Sequence, residues 1–161
     1  MSFEEIKLIV SEIDGVITDG RSAEDEIGNV LYKQFNLKDF VAINELKKKF
    51  KFVFLSDDNR ISYNMCRRRN IPFYWGKNEK EKVECLGQIM RRYGYTPDET
   101  IYIGSKINDK KCCQMIPKSF CPEDAGHYLK DICWAEFTTR GGEGIMPELL
   151  YLTSINTKNF E

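Results

Sequence analysis

Short apolar runs alternate along the chain with segments whose apolar residues recur at helical spacing. Residues 7–10 (KLIV), 52–55 (FVFL), 73–75, 101–103 (IYI) and 135–138 read as strands. Helices are expected over 39–49, 60–69, 80–93, 109–115 and 123–130. A last helix is expected from Pro147, because proline suits a first helical turn. Four-residue apolar runs separated by helices predict an α/β fold of parallel βαβ units with right-handed crossovers. Sheets of that kind bind ligands at the carboxyl ends of their strands.

One segment breaks the rhythm. Between Gly20 and Asn36, two short strand-like runs flank a turn at 27–30 (IGNV), which predicts a β-hairpin inserted directly after the first strand. A single domain over 1–152 is expected, with the hairpin at about 20–36 and a loose polar tail over 153–161.

Composition narrows the function classes. The chain has 161 residues, 42% hydrophobic and 30% charged, which describes a folded domain rather than a disordered one. A net charge of −1 argues against a general nucleic-acid or membrane-surface binder. No apolar run approaches the ~20 residues of a membrane span. The apolar stretch 6–10 is too short for a signal-peptide core, so a cytoplasmic protein is expected. Six cysteines form no C-x-x-C pair and the one histidine, His127, lies in a polar stretch. Free thiols and a surface histidine are therefore expected, rather than a zinc site or a Ser-His or Cys-His pair.

The chemistry gathers at IKLIVSEIDGVITDG, residues 6–20. A buried strand runs into Glu12, Ile13, Asp14 and Gly15, and period-two alternation puts Glu12 and Asp14 on one side of the chain. Two carboxylates at a strand end suit acid/base or metal-binding chemistry. An isolated Glu-x-Asp is more often just a strand end with two solvated acids.

These residues have company. The stretch 14–20 (DGVITDG), Gly28 with Phe35-Asn36, Ser56 after the second strand, Lys82, the loop 104–109 (GSKIND) and the segment 141–144 (GGEG) follow one another in order. Together they resemble the haloacid-dehalogenase superfamily. More narrowly, they resemble the small phosphatases of sugar-acid synthesis typified by 3-deoxy-manno-octulosonate 8-phosphate (KDO 8-phosphate) phosphatase. The resemblance runs from about Ile6 to Leu152. It implies a Rossmann-like parallel sheet flanked by helices, with a hairpin flap and no large cap domain. It also implies catalysis by Glu12 and Asp14, phosphate binding by Ser56 and Lys82, and a Mg²⁺ site drawn from Glu12, Asp14 and Asp109. Four subunits would join in a ring through their flaps.

The same resemblance exposes departures. Glu12 stands where the family has a nucleophilic aspartate, and its extra methylene moves the carboxylate by up to ~1.5 Å. A misplacement of about 1 Å can cost ~100-fold in rate. Ser105 and Lys106 stand where the family has acids, and neutral serine is a poor Mg²⁺ ligand. Asp57 and Asp58 follow Ser56, where two acids would repel a phosphate. Glu143 replaces a family arginine, and Pro147 falls near a second. The phosphatase-like C-terminal domain of animal acylneuraminate cytidylyltransferases also resembles this chain and also lacks the nucleophilic aspartate. Three readings follow. One is a catalytically degenerate phosphatase fold kept for assembly or for a sugar-nucleotide synthesis partner, needing no cofactor. The second is an active Mg²⁺-dependent sugar-acid phosphatase. The third is a binding module for a phosphorylated or anionic sugar. In the degenerate reading, Lys106 is expected to take the metal's place by pairing with Glu12 or Asp14.

Overall fold

The computed structural model describes residues 2–155. Met1 and the 156–161 part of the expected tail lie outside the described residues. Everything is arranged about β1 (Leu8–Ser11), whose four residues are fully buried. It pairs in parallel with β4 (Lys51–Ser56) on one side and β6 (Thr100–Ile103) on the other. β5 (Phe73–Trp75) extends the sheet beyond β4, and β7 (Lys118–Cys121) and β8 (Ala135–Glu136) extend it beyond β6. The order is β5-β4-β1-β6-β7-β8, parallel throughout. The chain winds one way from β1 and then the other, so a crevice opens at the carboxyl ends of β1, β4 and β6.

Strand alternation sorts the core into two layers. Ile9, Phe52, Phe54, Ile101 and Ile103 face one side, against α1 (Leu37–Leu46), α2 (Ile61–Arg68) and α6 (Ile145–Ile155). Leu8, Val10, Val53, Leu55 and Tyr102 face the other, against α3 (Glu79–Tyr93) and α4 (Lys110–Met115). Each such side chain fully withdrawn from water contributes roughly 1.5–3 kcal/mol. The short helix α5 (His127–Lys130) closes the second layer. No helix among the described residues is long and apolar enough to cross a membrane.

The hairpin forms where expected, from β2 (Ala23–Glu24) and β3 (Val30–Tyr32). Asp25 makes its turn, its Oδ1 accepting from the backbone N–H groups of Ile27 (3.0 Å) and Asn29 (2.8 Å). Three expectations change. β7 was not expected: its KSFC sequence offers too little alternation to register between Pro117 and Pro122. The helix expected over 123–130 is only the turn α5, because residues 123–126 form a bend that places Asp124 to accept from the Gly141 N–H at 2.9 Å. α6 begins two residues before Pro147 and runs to Ile155, into the segment expected to be loose. All six cysteines are free thiols, and His127 is exposed.

The segment 141–144 is held against the loop after β1. The Gly142 N–H donates to the Val16 carbonyl at 3.0 Å. A Cβ on Gly141 would lie 2.0 Å from the Gly15 carbonyl oxygen, so no side chain fits there. The following helix is fixed by Asp39, a fully buried carboxylate on α1 whose Oδ1 accepts from the Met146 N–H at 3.0 Å. Its Oδ2 has no hydrogen-bond partner among the described residues. Burial pushes the Asp39 carboxyl up to about 6, with the Met146 bond working against it.

This makes a pH test. A carboxyl raised in the folded state favours folding below its unfolded value near 3.8, and that contribution is lost as pH rises through about 6. Asp39→Asn keeps the acceptor for Met146 and removes the titration. Its stability relative to the parent should therefore rise between pH 4 and pH 7 by as much as ~2–3 kcal/mol. Urea denaturation across that range reads the slope, and a pH-independent difference would count against it.

Candidate functional site

Glu12 follows β1 directly, and its backbone N–H donates to the Ile103 carbonyl at 2.9 Å, so the chain continues the sheet one residue beyond the strand. Its side chain turns inward and is fully buried. Oε1 accepts from the Ile13 N–H at 2.8 Å, and Oε2 accepts from the Lys82 ammonium. Lys82 projects from the first turn of α3, a helix started by Asn78, whose side chain accepts from the Glu81 N–H, and ended by Gly94 at φ +75°. The Lys82 ammonium also reaches Asp109 Oδ1 at 2.9 Å and Asn108 Oδ1 at 3.3 Å, and the whole side chain is buried.

Asp109 completes the buried cluster. Its Oδ1 also accepts from the Tyr102 hydroxyl at 2.7 Å, and its Oδ2 from the backbone N–H groups of Ser105 (2.9 Å) and Lys106 (3.1 Å). Burial first, and the Asp109 charge second, raise the Glu12 carboxyl; the Lys82 and Lys106 ammonium groups pull against them. Burial works against the Lys82 charge, but Glu12 and Asp109 overcome it and hold the ammonium charged.

Asp14 points the other way from this cluster and lines an open cleft of about 540 Å³. The Thr18 hydroxyl donates to its Oδ1 at 3.3 Å, and Lys33 Nζ lies 2.6 Å from its Oδ2. Lys33 follows β3, so the hairpin delivers it. The same ammonium lies 2.8 Å from Asp58 Oδ2, with its side chain only 5% exposed. Burial opposes the Lys33 charge, and the two carboxylates more than restore it. Burial likewise pushes Asp58 up, but Lys33 and the N–H groups of Arg60 and Ser62 bring it down to about 2.

The expected roles are thus redistributed. Glu12 and Asp14 are neighbours in sequence with side chains in different compartments. Ser56 is fully buried and its Oγ accepts from the Asp58 N–H at 3.4 Å; neither it nor Lys82 lines the cleft. Lys106 does not pair with Glu12 or Asp14. Its ammonium lies 2.8 Å from Asp57 Oδ2, and the cation on Glu12 is Lys82. Asp57, on the loop after β4, faces Lys106 across the cleft and takes its ammonium. Asp57 and Asp58, expected to repel a phosphate, are each matched by a lysine. Sequence reasoning missed Lys33 and Tyr102. Tyr102 sat in view as the one polar-tipped residue of IYI; Lys33 carried no signal, because its partners depend on how the hairpin folds back.

The chain matches no family model. It is 32% identical over 149 residues to the 3-deoxy-D-manno-octulosonate 8-phosphate phosphatase of Haemophilus influenzae, covering 91% of this chain and 81% of that protein. The cobalt-bound structure of the Haemophilus influenzae phosphatase superposes with a TM-score of 0.87 at 26% identity, over 98% of this chain and 92% of that one. The corresponding phosphatase of Moraxella catarrhalis, in complex with magnesium, phosphate and KDO, gives 0.87 at 19% identity, over 98% and 91%. That of Yersinia pestis gives 0.83 at 20%, over 97% and 86%.

Burial separates the two lysines by magnitude. Lys82→Met leaves Glu12 and Asp109 without their cation, and a broken buried pair costs ~3–5 kcal/mol. Lys106→Met breaks a pair whose lysine side chain is 39% exposed, where losses stay below ~1 kcal/mol. Urea unfolding at pH 7 should rank them in that order. The Lys82→Met deficit should narrow on acidification, as the Glu12 carboxyl, already raised by burial, takes up a proton. Equal losses from the two variants would contradict the assignment of Lys82.

Proposed function

Because this chain belongs to the KDO 8-phosphate phosphatase-like family of the haloacid-dehalogenase superfamily, we propose that it is a catalytically degenerate member. In this reading it has given up metal-dependent phosphoryl transfer and is kept for assembly or for binding a partner enzyme of sugar-acid or sugar-nucleotide synthesis. One observation carries the reading: Glu12, at the nucleophile position, is fully buried and has both carboxylate oxygens engaged. A nucleophile must present a lone pair to the atom it attacks. Glu12 does not line the cleft that a substrate would enter.

The active-phosphatase reading has its own support. The Haemophilus influenzae relative is a KDO 8-phosphate phosphatase, and Asp14, at the acid/base position, does line the cleft. That reading requires Glu12 to release Lys82. A pure anionic-sugar module is less favoured, since the cleft wall carries Asp14, Asp19, Asp57, Asp58 and Asp124 against Arg21, Lys33 and Lys106. A cytoplasmic setting agrees with six free thiols.

Hydrolysis of KDO 8-phosphate and p-nitrophenyl phosphate with Mg²⁺ is the test. Ordinary enzymes turn over at ~1–10³ per second, and less than a thousandth of the lower figure is expected. A rate of about one per second that vanishes in Asp14→Asn would instead establish the active enzyme.

For assembly, the reading includes a homotetramer joined through the hairpins. Ile27, Leu31 and Tyr32 support it, being 80%, 60% and 58% exposed on a two-stranded hairpin that pairs with no other strand among the described residues. Light scattering at micromolar concentration should give a four-chain mass, reduced in an Ile27→Asp, Leu31→Asp variant. A monomer mass for the parent chain would rule it out.

A further inference from the structure

We propose that the site is metal-independent: Lys82 and the Ser105 hydroxyl occupy the oxygens on which a divalent cation would sit. Mg²⁺ demands near-octahedral oxygen ligation at about 2.0–2.1 Å, usually with one or two carboxylates among the ligands. The oxygens available for that here are the Glu12 carboxylate, the Asp14 backbone carbonyl and the Asp109 carboxylate.

Each already accepts at least one hydrogen bond from the protein, and each of the two Asp109 oxygens accepts two. Glu12 accepts from the Ile13 N–H and the Lys82 ammonium. The Asp14 carbonyl accepts from Ser105 Oγ at 2.6 Å. Asp109 accepts from Lys82, Tyr102 and the N–H groups of Ser105 and Lys106, which engages both of its oxygens.

The substitution at Ser105 does two things at once. It removes a charged ligand, and it supplies a hydroxyl of the right length to satisfy the carbonyl a cation would need. A Cβ on Gly15 would lie 2.5 Å from that Ser105 oxygen, so the hydroxyl is packed against the loop rather than free to swing away. Charge points the same way. The Lys82 ammonium already sits between Glu12 and Asp109, and it is buried, so it has no solvent to retreat into. Lys106, bridged to Asp57 at the cleft wall, adds a second positive charge on the approach.

The remaining acids of the cleft do not form an alternative site. Asp57 is held by Lys106 and Asn108, Asp58 by Lys33 and Ser62, Asp19 by the Arg21 N–H and Asp124 by the Gly141 N–H. Among the described residues, no three carboxylates, thiols or imidazoles converge so as to hold an ion.

The inference goes beyond the loss of turnover and is separable from it. Activity that persists in EDTA would defeat the degenerate reading and leave metal independence standing. Metal binding without turnover would do the reverse. The experiment is a thermal melt of the full chain in 10 mM MgCl₂ or MnCl₂ against KCl of equal ionic strength, with isothermal titration of the same ions. The expected result is no shift in Tm and no binding heat. A site filled to ~100 times its Kd would raise Tm by roughly 5–10 °C in a domain of this size, and such a rise in the parent chain overturns the proposal. The variant Glu12→Asp, Ser105→Asp, Lys106→Asp, whose shorter first carboxylate draws back from Lys82 and whose loss of the Ser105 hydroxyl frees the Asp14 carbonyl, should acquire the shift. A folded triple variant that stays blind to metal would refute the assignment to these residues. Should that variant not fold, the parent titration decides alone.

Discussion

A lysine ammonium sealed from water cannot be left unmatched, and the arrangement around Lys82 follows from that constraint. An uncompensated buried charge costs several kcal/mol. Its partners come from two places: Glu12 from the end of β1, and Asn108 with Asp109 from the turn after β6, while Tyr102 within β6 braces Asp109. The asparagine cap of α3 sets where the first helical turn begins and therefore where Lys82 emerges. One cation thereby ties together the central strand, its neighbour and the helix layer covering them. Such a cluster is weak evidence of net stability, because desolvation offsets much of the attraction. What it does supply is a definite position for the loop between β6 and α4.

Above this cluster the cleft obeys a different rule. Its acids stay partly wet, and three of them are answered across the opening by a lysine from another segment: Lys33 from the hairpin for Asp14 and Asp58, Lys106 for Asp57. The two acids after Ser56 look hostile to an anion when read along the chain. In three dimensions they are halves of ion pairs, and the hairpin is attached to the body partly through them. The Arg60 guanidinium donates to the Val30 carbonyl and adds a second tie to the same hairpin.

How much of this was readable follows from the range of each signal. β1, β4 and β6 were evident because a strand covered on both faces must be apolar at every position, as Leu8, Val53 and Ile101 are. The hairpin was evident from Gly28 and its neighbours. β7 was not, since Lys118 and Ser119 dilute the only clear apolar residue, Phe120. Glu12, Asp14, Lys82 and Asp109 were all marked as site residues, and Glu12, Lys82 and Asp109 do converge. Their partition was beyond reach: whether Glu12 turns inward or toward the cleft depends on one extra methylene and on a lysine 70 residues away. The pairing of Lys106 was misjudged because its partner, Asp57, lies 49 residues away and meets it only across the folded cleft.

The glycine segment before α6 bears on the order in which the molecule can be built. Gly142 bonds the loop after β1 through Val16, Asn36 donates to the Gly142 carbonyl across 106 residues, and Asp39 holds the Met146 N–H across 107. The loop carrying Asp14 therefore rests on chain that is synthesised more than a hundred residues after it. The sheet can begin to form from β1, β4 and β5 while synthesis continues, but the loop carrying Asp14 lacks this support until the segment leading into α6 has emerged. Contacts of such long sequence separation form slowly, because loop closure precedes their reward. Throughout elongation the nascent chain must keep β1, with its uncovered apolar face, from associating with its neighbours in a polysome.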